Sequence, residues 1–188
     1  MNETVPVEVR IERLKRLLFA LEGESAYAIL DGASVPDLLE KLAAAPEEHA
    51  CLYRGELAPD LARTAPYLVK LRPESPLTEW ILGEGWGHHW GVFALTPAGL
   101  EALRRHLRGF LRVRDFTGQV LYFRYYDPRV LGVYLPTCNA QELRFVFGPV
   151  SRFFCEDQGT AEPVVFAREG HRFQIVRPKS IGVIAPGP

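Results

Sequence analysis

The chain has 188 residues, of which 22 are lysine or arginine and 23 are aspartate or glutamate, and its formal net charge is −1. This balance excludes a global basic field for nucleic acid, and no apolar run approaches the ~18 residues that a membrane span needs. The first residues also lack the basic start and apolar core of a signal peptide. We therefore expect a single cytoplasmic domain over residues 1–188 that binds neither nucleic acid nor a membrane.

Helices alternate with strands in the first half of the predicted structure. Leucines at three- and four-residue steps predict an amphipathic N-terminal helix over residues 8–22 that ends at Gly23. Ser34 and Ser75 are predicted helix caps, because a proline follows each of them in the first turn. The elements expected next are a strand at 27–30, a helix at 35–45, a strand at 50–53, a helix at 59–65, a strand at 67–71, a helix at 76–82 and a strand at 90–95.

The second half opens on the clearest helical pattern in the chain, which starts at Thr96 and Pro97 and keeps its leucines on one face. The elements expected after it are a hairpin with strands at 111–116 and 119–125, one or two helical turns at 129–135, and short β-rich runs at 151–179. Together they predict an α/β or α+β fold: a mixed β-sheet flanked by helices, with a β-hairpin and a strand-rich C-terminal third.

Charge is distributed unevenly along the chain. Residues 31–60 carry seven acidic side chains against two basic ones, whereas residues 100–130 carry seven arginines against three acidic side chains. A surface with patches of both signs favours the steering and docking of a protein partner.

No nucleotide, catalytic or metal motif is complete. Three glycines at 83–87 are not followed by the Lys-Ser/Thr pair of a phosphate-binding loop, and they are typical of a helix end with a loop after it. His88 and His89 have no neighbouring residues that would complete a metal shell, and the three cysteines are widely spaced. We predict that the protein is not an enzyme and needs no metal or cofactor.

The most unusual local sequence is FRYYDPR at residues 123–129. Arginine and tyrosine are common interface anchors, so Arg124, Tyr126 and Arg129 are candidates for a partner or anion clamp. A structural interpretation stays open beside it, in which Asp127 accepts hydrogen bonds from the turn or pairs with Arg124 or Arg129. A catalytic role would need a second acid, base or nucleophile, and the sequence nominates none.

Two further groups have both a binding and a structural interpretation. Arg104, Arg105 and Arg108 lie on one predicted helix, where they form either a solvated face or a docking site for an acidic protein. We expect charge reversal at Arg104 and Arg105 to leave the fold intact. Trp86 and Trp90 belong either to a hydrophobic docking patch or to the core.

Taken in order, several short segments within about 26–156 resemble the adaptor-chaperone family of type VI secretion, whose genes often lie between a spike (VgrG) gene and a toxin gene. The segments are 27–33, 52–55, 65–69, 90–93, 106–108 with Gly118, 123–130 and 147–150. They define a family-like core at about 26–156, followed by a β-rich tail at 157–179. We expect the motif residues with structural roles to be Asp31, Tyr53, Pro66, Tyr67, Asp127, Pro128, Gly148 and Pro149.

The resemblance implies a cytosolic loading factor that binds a secreted toxin, called an effector, and attaches it to the spike without catalysis or a cofactor. Two alternatives remain open. One is an immunity protein that neutralises a toxin encoded beside it, which gene order would distinguish. The other is an enzyme of unknown class that uses Arg124, Asp127 and Arg129 in a cleft.

Overall fold

A computed structural model describes residues 6–114, 117–169 and 172–178. Its first half contains α1 (Val7–Leu18), β1 (Ser25–Asp31), α2 (Leu38–Ala44), β2 (His49–Cys51), α3 (Pro59–Thr64), β3 (Pro66–Lys70), α4 (Pro76–Glu84), β4 (Gly91–Thr96) and α5 (Leu100–Arg108). Its second half contains β5 (Arg112–Arg114), β6 (Val120–Tyr122), α6 (Pro128–Tyr134), a 3-10 turn (Leu135–Thr137), α7 (Ala140–Phe147), β7 (Arg152–Glu156), β8 (Pro163–Glu169) and β9 (Arg172–Val176).

One seven-stranded sheet, in the order β2-β3-β1-β4-β7-β8-β9, organises the fold. Every described strand pair is antiparallel, so the α+β alternative of the two predicted classes applies. The predicted hairpin forms a separate two-stranded sheet of β5 and β6. The strand-rich C-terminal third is confirmed by β7, β8 and β9. Positions 115–116 and 179 of the predicted strands lie outside the described residues.

Helices cover both faces of the sheet. Alternate side chains of β1 point to opposite faces, so they pack against different helices. Tyr27 and Ile29 belong to a core cluster that includes apolar side chains of α5, α6 and α7. Ala28 and Leu30 belong to a second cluster, which includes apolar side chains of α1, α2 and α4. β1 is therefore buried on both faces, which explains its nearly continuous apolar sequence.

Three predicted helix boundaries differ from the structure by three residues or more. The first helix ends at Leu18 rather than 22, and Gly23 adopts a positive φ of 79° in the loop that follows. The predicted cap Ser34 is wrong: its hydroxyl donates to Asp31, 3.0 Å away, and α2 begins only at Leu38. The helix predicted from Thr96 begins at Leu100. Ser75, by contrast, is confirmed as a cap, because its hydroxyl accepts hydrogen bonds from two backbone N–H groups of α4.

The sequence prediction missed α7 entirely. Asn139 and Glu142 form a capping box in which each side chain bonds to the backbone of the other. Apolar residues at Leu143, Val146 and Phe147 then follow the helical period and are buried. The signal was therefore present as N-x-x-E followed by a periodic apolar run.

No helix in the described part of the chain is long and apolar enough to cross a membrane.

Candidate functional site

The FRYYDPR segment links the hairpin to α6 and is tied to the end of β1. The guanidinium of Arg124 pairs with the buried carboxylate of Asp31, the last residue of β1. Asp31 also accepts hydrogen bonds from the N–H of Ala33 at 3.1 Å and the hydroxyl of Ser34 at 3.0 Å. Burial alone would lower the pKa of Arg124, but the hydrogen bond and charge of Asp31 raise it. This carboxylate therefore joins two segments that are far apart in the chain.

Asp127 is the N-cap of α6, with Pro128 in the first helical position. Its Oδ1 accepts hydrogen bonds from the backbone N–H and the Nε–H of Arg129, both at 2.9 Å, and its Oδ2 accepts one from Nη2 at 2.7 Å. Burial would raise the pKa of Asp127, but the hydrogen bonds and charge of Arg129 lower it. Of the two arginines considered, Arg129 pairs with Asp127 and Arg124 pairs with Asp31.

We expect Asp127→Ala to lower the free energy of unfolding by about 1–2 kcal/mol, because it removes a helix cap. Arg129→Ala should cost less than about 1 kcal/mol, since the Arg129 side chain is half exposed and such ion pairs contribute little. Urea unfolding of both variants measures the difference. Equal losses would contradict the capping role of Asp127.

The tyrosines of the segment point into the protein. Tyr125 is fully buried and donates to the carbonyl of Leu107 at 3.1 Å. Tyr126 is also buried, with 3% of its surface exposed. Burial is the main cause that raises the pKa of Tyr126, and the neighbouring Tyr53 raises it further. Tyr126 is therefore not available to a partner, contrary to the interpretation of it as an interface anchor.

Two arginines of α5 hold the chain that follows β2. Arg108 donates from Nε to the carbonyl of Leu52 and from Nη2 to that of Cys51, both at 3.0 Å, and from Nη2 also to that of Tyr53. Arg104 donates from Nε to the carbonyl of Cys51 at 3.1 Å. Charge reversal at Arg104 would remove this hydrogen bond, so we expect it to destabilise the fold, contrary to the prediction from the sequence.

Arg105, by contrast, is exposed on α5. Charge reversal at this position remains a substitution that we expect the fold to tolerate.

His106 packs two of the motif segments, 106–108 and 147–150, against each other. Its ring lies under Gly148, whose φ is 48°, and a Cβ at that position would overlap three atoms of the ring. His106 Nε2 is 2.8 Å from the carbonyl oxygen of Val146, so the neutral ring carries its proton on Nε2. Burial lowers the pKa of His106, and the hydrogen bond to Val146 offsets part of that effect.

This shift predicts a pH dependence of stability. The unfolded chain takes up the His106 proton near pH ~6.5, whereas the folded state resists it, so stability falls as the pH drops through that range. We expect His106→Gln, which keeps a hydrogen-bond donor but cannot titrate, to lose less stability than the wild type between about pH 7.5 and 5.5. Urea unfolding at the two pH values measures this. Identical losses in both proteins would contradict it.

Trp86 and Trp90 belong to the core and do not form a surface patch, with only 4% and 8% of their surface exposed. The indole of Trp86 donates to the carbonyl of Ala161 at 2.6 Å. The loop after Trp86 is held by the buried carboxylate of Glu156, which accepts hydrogen bonds from the N–H groups of Gly87 and His89. These contacts remove both tryptophans from the set of partner-binding residues.

The remaining motif residues make backbone contacts. The carbonyl of Pro66 accepts from the N–H of Leu52 at 2.8 Å, and the hydroxyl of Tyr67 donates to the carbonyl of Ala62 at 3.0 Å. The carbonyl of Pro149 accepts from the hydroxyl of Thr96 at 2.7 Å. These contacts tie neighbouring strands and loops together.

An open cleft of about 320 Å³ lies between the chain after β2 and the β5–β6 hairpin. We call it the arginine cleft; its lining residues are Leu52, Tyr53, Arg54, Leu57, Leu61, Arg108, Leu111, Arg112 and Tyr122. Leu61 is 46% exposed and Tyr122 is 63% exposed. Of the residues proposed from the sequence as partner-binding, only Arg108 lines it.

Positive charge accumulates in the arginine cleft. Within the described residues, no carboxylate lies within ion-pair distance of Arg54, Arg108 or Arg112. Burial lowers the pKa of Arg108, and the neighbouring charges of Arg104 and Arg54 lower it further. Sequence reasoning missed this cleft because its two sides are at least 47 positions apart in the chain, from Leu61 to Arg108, and carry no local motif.

Among the residues that the structure describes, no group of three His, Cys, Asp or Glu side chains is arranged to hold a metal ion. His89 pairs with Glu156, and His88 Nδ1 lies 2.8 Å from the carbonyl oxygen of Glu84. The two histidines therefore contact different residues and do not form a pair.

Comparison with known proteins gave one match. The family model described as "Domain of unknown function (DUF4123)" matches residues 26–144, from β1 into α7. No curated protein and no solved structure is significantly similar to the chain.

Proposed function

Because the chain belongs to the DUF4123 family, a domain family of unknown function, we propose that it is an adaptor that binds a secreted toxin in the cytoplasm and loads it onto a type VI secretion spike. The proposal starts from the ordered motifs that resemble the adaptor-chaperone family, most of which lie within the matched residues. The partners are then an effector protein and a VgrG-type spike protein, and the role requires no catalysis and no cofactor.

The arginine cleft is the observation that carries the proposal. It is open to solvent, and its lining combines leucine and tyrosine side chains with three arginines, which is the composition of a docking site for another protein. Its described lining contains no carboxylate, histidine, serine, threonine or cysteine that could act as acid, base or nucleophile. These features favour binding over chemistry at this cleft.

The enzyme alternative has less support from the geometry. Arg124 and Arg129, the cations proposed for a catalytic cluster, are each paired with a carboxylate of the chain itself. Asp127 caps a helix and accepts three hydrogen bonds from Arg129. These contacts favour a structural role for the cluster.

Co-expression tests the proposal. The tagged chain is produced together with the products of its neighbouring genes, including the spike, and purified under native conditions. We expect stoichiometric recovery of a toxin, and recovery of the spike when the toxin is also present. An immunity protein would instead capture the toxin without the spike and suppress its toxicity. A folded chain that recovers neither protein would overturn the proposal.

A further inference from the structure

We propose that the arginine cleft takes an acidic amphipathic helix of the partner protein, with its apolar side chains against Leu57, Leu61 and Tyr122 and its carboxylates against Arg54 and Arg112. This inference deepens the proposed function and rests on it for the identity of the partner. The position and the lining of the cleft do not depend on that function.

The apolar part of the cleft is exposed enough to be a contact surface. Leu57 and Leu61 stand on one wall, and Tyr122 stands on the other. Tyr122 is the most exposed large hydrophobic side chain in the described residues, at 63%. Exposed leucine and tyrosine side chains that face each other across a cleft lose unfavourable hydration when a partner covers them.

The charge of the cleft selects the partner. Arg112 and Tyr122 are directly opposite each other in the β5–β6 register, so they present a cation and an aromatic ring side by side. Arg54 adds a second exposed cation on the facing wall, and neither arginine has an ion-pair partner among the described residues. A partner segment with carboxylates next to apolar side chains matches this pattern, whereas the phosphate backbone of a nucleic acid leaves the leucines uncovered.

The backbone contacts favour a helix over an added strand. A strand that extended the sheet beyond β2 would need free backbone groups at the sheet edge. At the end of β2, the carbonyl of Cys51 is already occupied by Arg104 and Arg108. The carbonyls of Leu52 and Tyr53, which follow β2 along the cleft, are occupied by Arg108. The cleft thus offers side chains to the partner, which is how an amphipathic helix binds in a groove.

Two measurements on the full-length chain test the inference. In the first, photoreactive benzoylphenylalanine replaces Tyr122 in the co-expressed complex, and the crosslinked segment is identified by mass spectrometry. In the second, fluorescence anisotropy measures the binding of a labelled peptide that has leucines at helical spacing and glutamates elsewhere. A peptide with lysines in place of the glutamates is the matched probe.

We expect the crosslink to fall in an acidic amphipathic segment of the partner, and the glutamate peptide to bind at least about tenfold more tightly than the lysine peptide. The double variant R54E/R112E should weaken binding of the glutamate peptide by about tenfold or more, because it replaces two attractions by repulsions. The control R105E changes an exposed arginine of α5 outside the cleft and should stay within about twofold of the wild type.

The outcomes separate the two proposals. Capture of the toxin by wild type and R54E/R112E alike, with crosslinks in a segment that is not acidic, would overturn the cleft inference and leave the adaptor proposal standing. Tight, cleft-dependent binding of the glutamate peptide without capture of toxin or spike would support the cleft and overturn the adaptor. Crosslinking to RNA, or equal binding of both peptides, would overturn the inference.

Discussion

The variant Arg108→Ala is expected to unfold with a free energy about 2–3 kcal/mol lower than that of the wild type. The Arg108 guanidinium donates to the carbonyls of Cys51, Leu52 and Tyr53, and hydrogen bonds from a charged group contribute more than neutral ones. Removing it leaves the carbonyls of Leu52 and Tyr53 without this donor, and the carbonyl of Cys51 then keeps only the bond from Arg104. Domains of this size are stable by only about 5–15 kcal/mol, so the loss is large. Urea unfolding followed by circular dichroism measures it.

Two companion variants test the mechanism of this loss. Arg108→Lys keeps the charge but lacks the planar fork that reaches several carbonyls at once, so it should recover only a small part of the stability. Arg105→Ala removes an exposed arginine from the same helix and should change stability by no more than about 0.5 kcal/mol. Full recovery with lysine would show that charge, and not the hydrogen-bond geometry, is what matters at this position.

Gly148→Ala is the second substitution with a large expected effect, a loss of about 3 kcal/mol or more. Gly148 has a φ of 48°, in the region that L residues rarely adopt, and its missing side chain makes room for the His106 ring. Alanine there therefore incurs both backbone strain and steric overlap. Thermal and urea unfolding measure the combined effect.

Controls can separate these two contributions. The double variant Gly148→Ala/His106→Ala removes the overlap and keeps the strain, so its loss should be smaller than the sum of the two single losses. Gly132→Ala adds a methyl group in open space within α6, where we expect a gain of about 0.5–1 kcal/mol. A Gly148→Ala protein as stable as the wild type would contradict the packing of His106 against this position.

For the adaptor proposal, the important question is which arginines are available to a partner protein. Most arginines of the motif segments are engaged within the chain: Arg108 with backbone carbonyls, Arg124 with Asp31 and Arg129 with Asp127. At the cleft, Arg54 and Arg112 have no ion-pair partner among the described residues, and neither of them was among the residues that we expected to bind a partner. Binding experiments should therefore begin at the cleft and not at FRYYDPR.

Local patterns alone determined much of this protein. The predictable features were β1, the hairpin, the C-terminal strands, the Ser75 cap and the pairing of Asp127 within its own turn. Each depends on contacts between residues that are close in sequence or on a simple apolar period. The capping box of α7 belongs to the same class, although the prediction overlooked it.

Only the tertiary structure decided which polar and aromatic residues remain on the surface. Asp31 is 93 positions from its partner Arg124, and His106 is 40 positions from the carbonyl that it binds. The sequence surrounds Trp86 with glycines, a glutamate and histidines, and it places Tyr122 among apolar residues. Trp86 nevertheless lies in the core and Tyr122 on a cleft wall. Burial and charge pairing depend on which distant segments the sheet brings together, and composition and spacing do not contain that information.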